Sequence, residues 1–182
     1  MIRDFLVPLL IVGLSEFGDK TQLAVLSMSS RFKHKLNLFV AVMLAFALVD
    51  GLAVLFGGAI ARFIPVRIIH IIAGIVFIGY GVYILITGEG SEEKNDSKST
   101  FFSAFSLILL LEMGDKSQIA TAVFAAEFNP FLVFAGVMVA LSLLTLTAMW
   151  VGHQLGKVFQ SDKLKYVSAL LFIGVGILSL VF

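Results

Sequence analysis

Two carboxylates and an ammonium group recur in this chain at one spacing, each time inside a long apolar run. The first copy is Glu16-Phe17-Gly18-Asp19-Lys20-Thr21-Gln22, and the second is Glu112-Met113-Gly114-Asp115-Lys116-Ser117-Gln118. A charged side chain at bilayer depth costs roughly 2.5–3.5 kcal/mol even on mild insertion scales. Residues so costly, placed twice, point to a polar site at the membrane midplane built from two related halves. Four carboxylates and two ammonium groups carry a net charge of −2 when all are ionised. One divalent cation or two protons would cancel it. Carboxylate, amide and hydroxyl oxygens suit calcium, magnesium or manganese better than softer metals. Neither motif contains histidine or cysteine, and Met113 is the only sulfur, which argues against a thioether site.

On a continuous helix, residues three and four apart share a face. Glu16, Asp19 and Lys20 would then cluster, as would Glu112, Asp115 and Lys116. Gly18 and Gly114 would permit close helix approach or a local unwinding that turns carbonyls toward a cation. Thr21, Gln22, Ser117 and Gln118 are candidate secondary ligands, with interhelical hydrogen bonding as the competing role. Glu16–Lys20 and Glu112–Lys116 also read as i,i+4 ion pairs that tie helices together. Such buried pairs stabilise weakly, however, and leave the adjoining aspartates unexplained. Asp50 is a further acid inside an apolar run, matched by Thr145 in the repeat. It is a candidate proton relay or distant ligand, or else the partner of a kink beside Gly51. Lys20, Lys116 and Asp50 are grouped as charge-compensating or coupling residues.

The elements that must position these groups are membrane helices. The chain is 59% hydrophobic and only 14% charged, with a mean hydropathy of +1.04. A soluble domain is about a quarter charged. No basic arm or aromatic-plus-basic surface suggests nucleic acid. Cysteine is absent, so disulfides are excluded. Six apolar segments, each near the roughly 20 residues a spanning helix needs, run Phe5–Ser29, Leu36–Arg62, Val66–Thr87, Phe102–Ala126, Phe131–Lys157 and Leu164–Phe182. Pro8 is expected in the first turn of the first helix. Asn129-Pro130 is expected to cap and start the fifth. The polar tract Glu89–Thr100 reads as a linker. It divides the chain into a first repeat (1–88), a cytoplasmic linker (89–101) and a second repeat (102–182).

The halves correspond beyond the motif. Glu112 follows Glu16 by 96 residues, and Gly152 follows Gly57 by 95. The run Phe77-Ile78-Gly79-Tyr80-Gly81 matches Phe172-Ile173-Gly174-Val175-Gly176. The glycines of these runs, with Gly74, read as helix packing. Three helices per repeat is an odd number, so the second copy enters from the opposite side. The expected fold is an all-α integral membrane protein, six transmembrane helices arranged as two inverted three-helix repeats. Arg31, Lys33, Lys35, Lys94, Lys98, Lys157, Lys163 and Lys165 fall on one side, against Arg3, Arg62 and Arg67 on the other. That bias predicts a cytoplasmic linker and both termini outside.

The doubled E-x-G-D-K-[ST] motif, one copy in the first helix of each half, resembles the small membrane family of calcium/manganese cation–proton exchangers grouped with the LysE-type superfamily. The resemblance spans essentially the whole chain. It implies that Glu16, Asp19, Glu112 and Asp115 form the cation site, with Lys20, Lys116, Thr21 and Ser117 completing the motifs. It further implies export of manganese or calcium from the cytosol. The long central region and targeting segment of eukaryotic members are not seen, which suggests a prokaryotic protein of the cytoplasmic membrane.

The resulting expectation is a secondary transporter, not an enzyme. It exports Mn2+ and/or Ca2+ in exchange for protons and needs no cofactor beyond the transported cation. Its partners are the metal ion, protons and the lipid bilayer. The alternatives are a divalent-cation channel, against which the lysines in the site argue, and an intramembrane aspartyl protease, for which no G-x-G-D sequence is present.

Overall fold

The computed structural model describes residues 1–60, 97–113 and 115–158, together with isolated positions between 71 and 86 and between 166 and 180. Among the described residues every regular element is an α-helix. The elements are α1 (Ile2–Ser15), α2 (Lys20–Arg31), α3 (Lys35–Ile60), α4 (Ser97–Glu112), α5 (Lys116–Glu127) and α6 (Pro130–Val158). Most of the expected third and sixth segments, and of the linker, lies outside the described residues, as do the side chain of Lys116 and all of Gly114.

The second and fifth apolar segments form single long helices, α3 and α6, each starting within one residue of its expected start. Lys35–Phe56 and Pro130–Gly156 are each long and apolar enough to cross a membrane. Asn129 caps α6 as expected, its Oδ1 accepting the Phe131 N–H at 3.0 Å and the Leu132 N–H at 3.4 Å. Pro130 follows in the first turn, where no N–H is needed. Pro8 differs from expectation. Helix α1 begins at Ile2, so Pro8 sits inside it and leaves the Asp4 carbonyl without its usual helical donor.

The first and fourth segments are not continuous helices. Each breaks at the motif, giving α1 and α2 in one half and α4 and α5 in the other. The expectation of acids three and four apart on one helix face is therefore corrected. The charged motif interrupts the hydropathy of these segments, and the local unwinding that Gly18 and Gly114 permit is realised as a full break in each helix. The break itself needs Gly18, whose φ is +79°, a left-handed conformation that costs a residue with a Cβ roughly 1–2 kcal/mol.

Helix α3 is apolar on every side. Leu38, Ala41, Val42, Ala45, Phe46 and Val49 are buried inside the protein. Leu36, Val40, Leu44, Leu48, Leu52 and Leu55 form an exposed stripe along the outside. A helix with one apolar face packed and the other exposed along its length suits hydrocarbon surroundings, not water.

The broken helices pack across the halves. Both α1 and α2 lie on α6, while α4 and α5 lie on α3, and α3 meets α6. Smaller contacts join α1 to α5 and α2 to α4. Every one of these relations exchanges with another, or with itself, when the halves are interchanged. In a membrane, close van der Waals packing replaces the hydrophobic effect as the force between helices. Gly152 shows the closeness: a Cβ there would overlap the Leu26 carbonyl of α2. At the described positions beyond α3 and α6, a Cβ on Gly74 would stand 2.8 Å from the Gly176 oxygen, and one on Gly81 would stand 2.9 Å from the Ala169 oxygen. Gly74 and Ala169 are 95 residues apart, as are Gly81 and Gly176, so these two contacts are images of each other. Packing is thus the role of Gly74, Gly81 and Gly176, whereas Gly79 and Gly174 have open space beside them.

Candidate metal centre

The site forms where the two helix breaks meet. Each break is closed by the same turn: the Asp19 N–H donates to the Glu16 carbonyl at 3.2 Å, and the Asp115 N–H to the Glu112 carbonyl at 3.2 Å. Asp19 and Asp115 are the N-cap residues of α2 and α5, with extended backbones and no side-chain capping bond. An aspartate at this position ordinarily bonds the first amides of its helix. The positive ends of α2 and α5 stand beside these carboxylates and act on the site as dipoles.

The side chains then reach across the halves. Lys20 Nζ donates to Asp115 Oδ1 at 2.6 Å. Thr21 Oγ1 donates to Glu112 Oε1. Ser117 Oγ donates to Asp115 Oδ2 at 3.5 Å and is within hydrogen-bonding reach of the Glu16 carboxylate. Thr21–Glu112 and Ser117–Glu16 are image pairs, since 21 pairs with 117 and 16 with 112. The i,i+4 alternative for Lys20 is corrected by this geometry. The helix is interrupted between Glu16 and Lys20, and the lysine takes the aspartate of the other half.

One oxygen from each of Glu16, Asp19 and Asp115 lies within 4.8 Å of the other two. Oxygens bound to one calcium ion at 2.3–2.6 Å cannot be farther apart than about 5 Å, so this separation suits a shared cation. Glu16 is 4% exposed, and Asp19 Oδ2 is buried with no hydrogen-bond partner. A buried carboxylate oxygen left unbonded is costly unless something positive completes it. Three carboxylates and the Lys20 ammonium leave a charge of −2 when ionised, which matches a divalent ion.

Of the four acids expected to hold the cation, three therefore converge. Glu112, 2% exposed, is an electrostatic neighbour of Glu16 but stands outside the three-oxygen cluster and accepts from Thr21. The secondary candidates divide. Thr21 is committed to Glu112, and Gln22 Oε1 accepts the Gly18 N–H at 3.0 Å, which steadies the turn. Gln118 Nε2 donates to the Val49 carbonyl at 3.5 Å. Ser117 touches a member of the cluster, Asp115. Lys116 cannot be placed, its side chain being outside the described residues. Asp50 is 3% exposed and accepts from Thr121 Oγ1 at 3.2 Å. Thr121 has no counterpart hydroxyl in the first half, where Val25 stands, so the repeat alone did not reveal it.

A model of the divalent cation/proton antiporter family GDT1 matches residues 4–92 and 100–182. The chain belongs to this family. It is therefore a membrane transporter of the cation/proton antiporter type and not of an enzyme family. Among curated proteins, the chain is 28% identical to one named "Putative manganese exporter" from Vibrio cholerae serotype O1, over 89% of this chain and 82% of that one. It is 29% identical to GDT1-like protein 5 of Arabidopsis thaliana over 99% of this chain and 96% of the relative. GDT1-like protein 5 of Oryza sativa is 27% identical over 98% and 94% respectively. No solved structure gives a significant match.

Proposed function

We propose that this member of the family exports Mn2+ and/or Ca2+ from the cytosol in exchange for protons. Glu16, Asp19 and Asp115 would hold the cation directly, and Glu112 would adjoin it through Thr21. The observation that carries this reading is the convergence of carboxylates from both halves at two helix breaks, with one oxygen from each within 4.8 Å of the others. Broken helices facing one another at mid-membrane are how many secondary transporters build ion sites. The name of the Vibrio relative supports manganese and the outward direction. An all-oxygen donor set admits calcium equally. Metal and protons would compete for the same carboxylates, because a ligating oxygen must give up its proton.

The fold proposed with this function is six spanning helices in two inverted repeats, 1–88 and 102–182. Its support is the exchange symmetry of the packing, down to the Gly74–Gly176 and Gly81–Ala169 contacts. Rocking of one half against the other would expose the shared site to each side in turn. The location proposed is a prokaryotic cytoplasmic membrane, with both termini outside and the Glu89–Thr100 tract in the cytosol, on the eight-to-three bias of basic residues. Reporter fusions at Phe182 and near Asn95 test the orientation. A cytoplasm-only reporter should be active near Asn95 and silent at Phe182, and the reverse pattern inverts the topology.

The decisive measurement of function is metal flux in proteoliposomes with and without a pH gradient. Accumulation of manganese or calcium against its own gradient, driven by the imposed pH difference, is expected. Flux that runs equally well without the gradient would replace the antiporter with a channel.

A further inference from the structure

Each acid of the two motifs has a counterpart in the other half, Glu16 with Glu112 and Asp19 with Asp115, but one further buried acid has none. Asp50 on α3 corresponds to Thr145 on α6, and its partner Thr121 on α5 corresponds to Val25 on α2. In the second half's image of the Asp50 position lies a cavity of about 10 Å³, lined in part by Glu16, Gln22, Val25 and Thr145. That is room for roughly one water molecule. On the first side the space is taken by a carboxylate, hydrogen-bonded to Thr121 at 3.2 Å. Asp50 contributes nothing to the three-oxygen cluster. The cation site is complete without it.

Among the described residues the charged surroundings of Asp50 are acidic, the Lys116 side chain at the start of α5 lying outside them. Asp115, which precedes α5, bears on it, and it bears in turn on Glu16 at the end of α1 and Glu112 at the end of α4. From α2 the available cation is Lys20, which is committed to Asp115. Helix α6 carries no ionisable residue before His153 near its end. A carboxylate in a membrane interior persists when it is paired or serves in proton transfer, and no described cation pairs with this one.

We infer that Asp50, positioned by Thr121, is a proton-carrying residue of the antiport cycle, separate from the carboxylates that hold the cation. The inference rests on the proposed exchange of cation for protons. An O–H bond forms at an Asp50 carboxylate oxygen with a proton taken from water on the outer side. The same bond breaks when the site faces the cytosol and the proton passes to water there. Asp50 accounts in this way for one proton per cycle. The asymmetry has a chemical sense: the cation needs donors from both halves, whereas a single proton needs one.

The test is Asp50→Asn in proteoliposomes with Mn2+ as the transported ion. Two readouts are compared: metal-for-metal exchange at equal pH, and accumulation driven by a pH gradient. Exchange should remain within about threefold of the unaltered protein, while driven accumulation should fall by at least about tenfold, some 1.4 kcal/mol of lost coupling. Retained accumulation, or loss of exchange along with accumulation, overturns the inference. If the unaltered protein itself shows no gradient-driven flux, the proposed function fails and not the assignment of Asp50 within it. Thr121→Val guards against a variant that does not fold. It removes the hydroxyl donor but not the acid, so the pH profile of transport should move to more alkaline pH with metal affinity unchanged. An unmoved profile also overturns the inference.

Discussion

Asp115→Asn is expected to weaken metal binding by about 100-fold or more, the equivalent of roughly 3–5 kcal/mol. Three effects add at this residue. The cluster loses one of its three converging carboxylates. Lys20 loses the partner it meets at 2.6 Å, which leaves the ammonium without its hydrogen-bonded acceptor in a low-dielectric site. Its positive charge then opposes the arriving cation. The amide that replaces the acid can still accept from Ser117, so the local shape is kept and the loss is electrostatic. Calorimetric titration of the detergent-solubilised protein with Mn2+ and Ca2+ measures it. Glu112→Gln is the internal comparison. Sequence considerations rank all the motif glutamates together, above Gln22 and Gln118, as the damaging positions. The structure separates Glu112 from Glu16: a glutamine at 112 can accept the Thr21 hydroxyl as the glutamate does, so about tenfold or less is expected there. Equal damage from Asp115→Asn and Glu112→Gln would mean that Glu112 ligates the cation directly and that the three-oxygen cluster is incomplete.

Lys20→Met should destabilise the metal-free protein strongly and the metal-bound protein little. The Lys20 ammonium is the described counter-charge to Glu16, Asp19 and Asp115. Without it three carboxylates face one another, and the removal of one partner from a buried pair costs about 3–5 kcal/mol. A divalent cation restores the balance, so the variant's midpoint of thermal unfolding should fall well below that of the unaltered protein without metal and largely recover with it. Metal affinity should rise, because the cation no longer competes with a fixed ammonium. The empty cluster would hold additional protons in place of the lysine, and metal binding should release them. Calorimetry in buffers of different ionisation enthalpy counts these protons. A variant with unchanged metal-free stability and an unchanged proton count would show that Lys20 has no part in charge compensation.

How the chain reads depends on which physical signal each feature carries. The starts of helices α3 and α6 were legible nearly to the residue because each opens an apolar run after a polar flank. Asn129-Pro130 was legible because capping is chemistry local to three residues. The interruption of the first and fourth segments was legible only as one of two options, since Gly18 and Gly114 permit either close helix approach or local unwinding. The left-handed φ of Gly18 is a backbone state that several glycines of this chain could have adopted.

The residues of the site, their repetition and their oxygen chemistry follow from the sequence by itself. A charge in hydrocarbon is costly wherever it lies, and the cost can be read without coordinates. The partners were decided only by tertiary structure. Lys20 meets Asp115, Thr21 meets Glu112 and Asp50 meets Thr121, each across 71 to 95 residues of chain. Periodicity reports which face a side chain occupies on its own helix. It carries no information on what stands opposite, because that is set by how α1 and α2 pack on α6 and how α4 and α5 pack on α3. The same packing draws Glu16, Asp19 and Asp115 into one cluster and sets Glu112 behind Thr21, a distinction between acids that two near-identical motifs could not express.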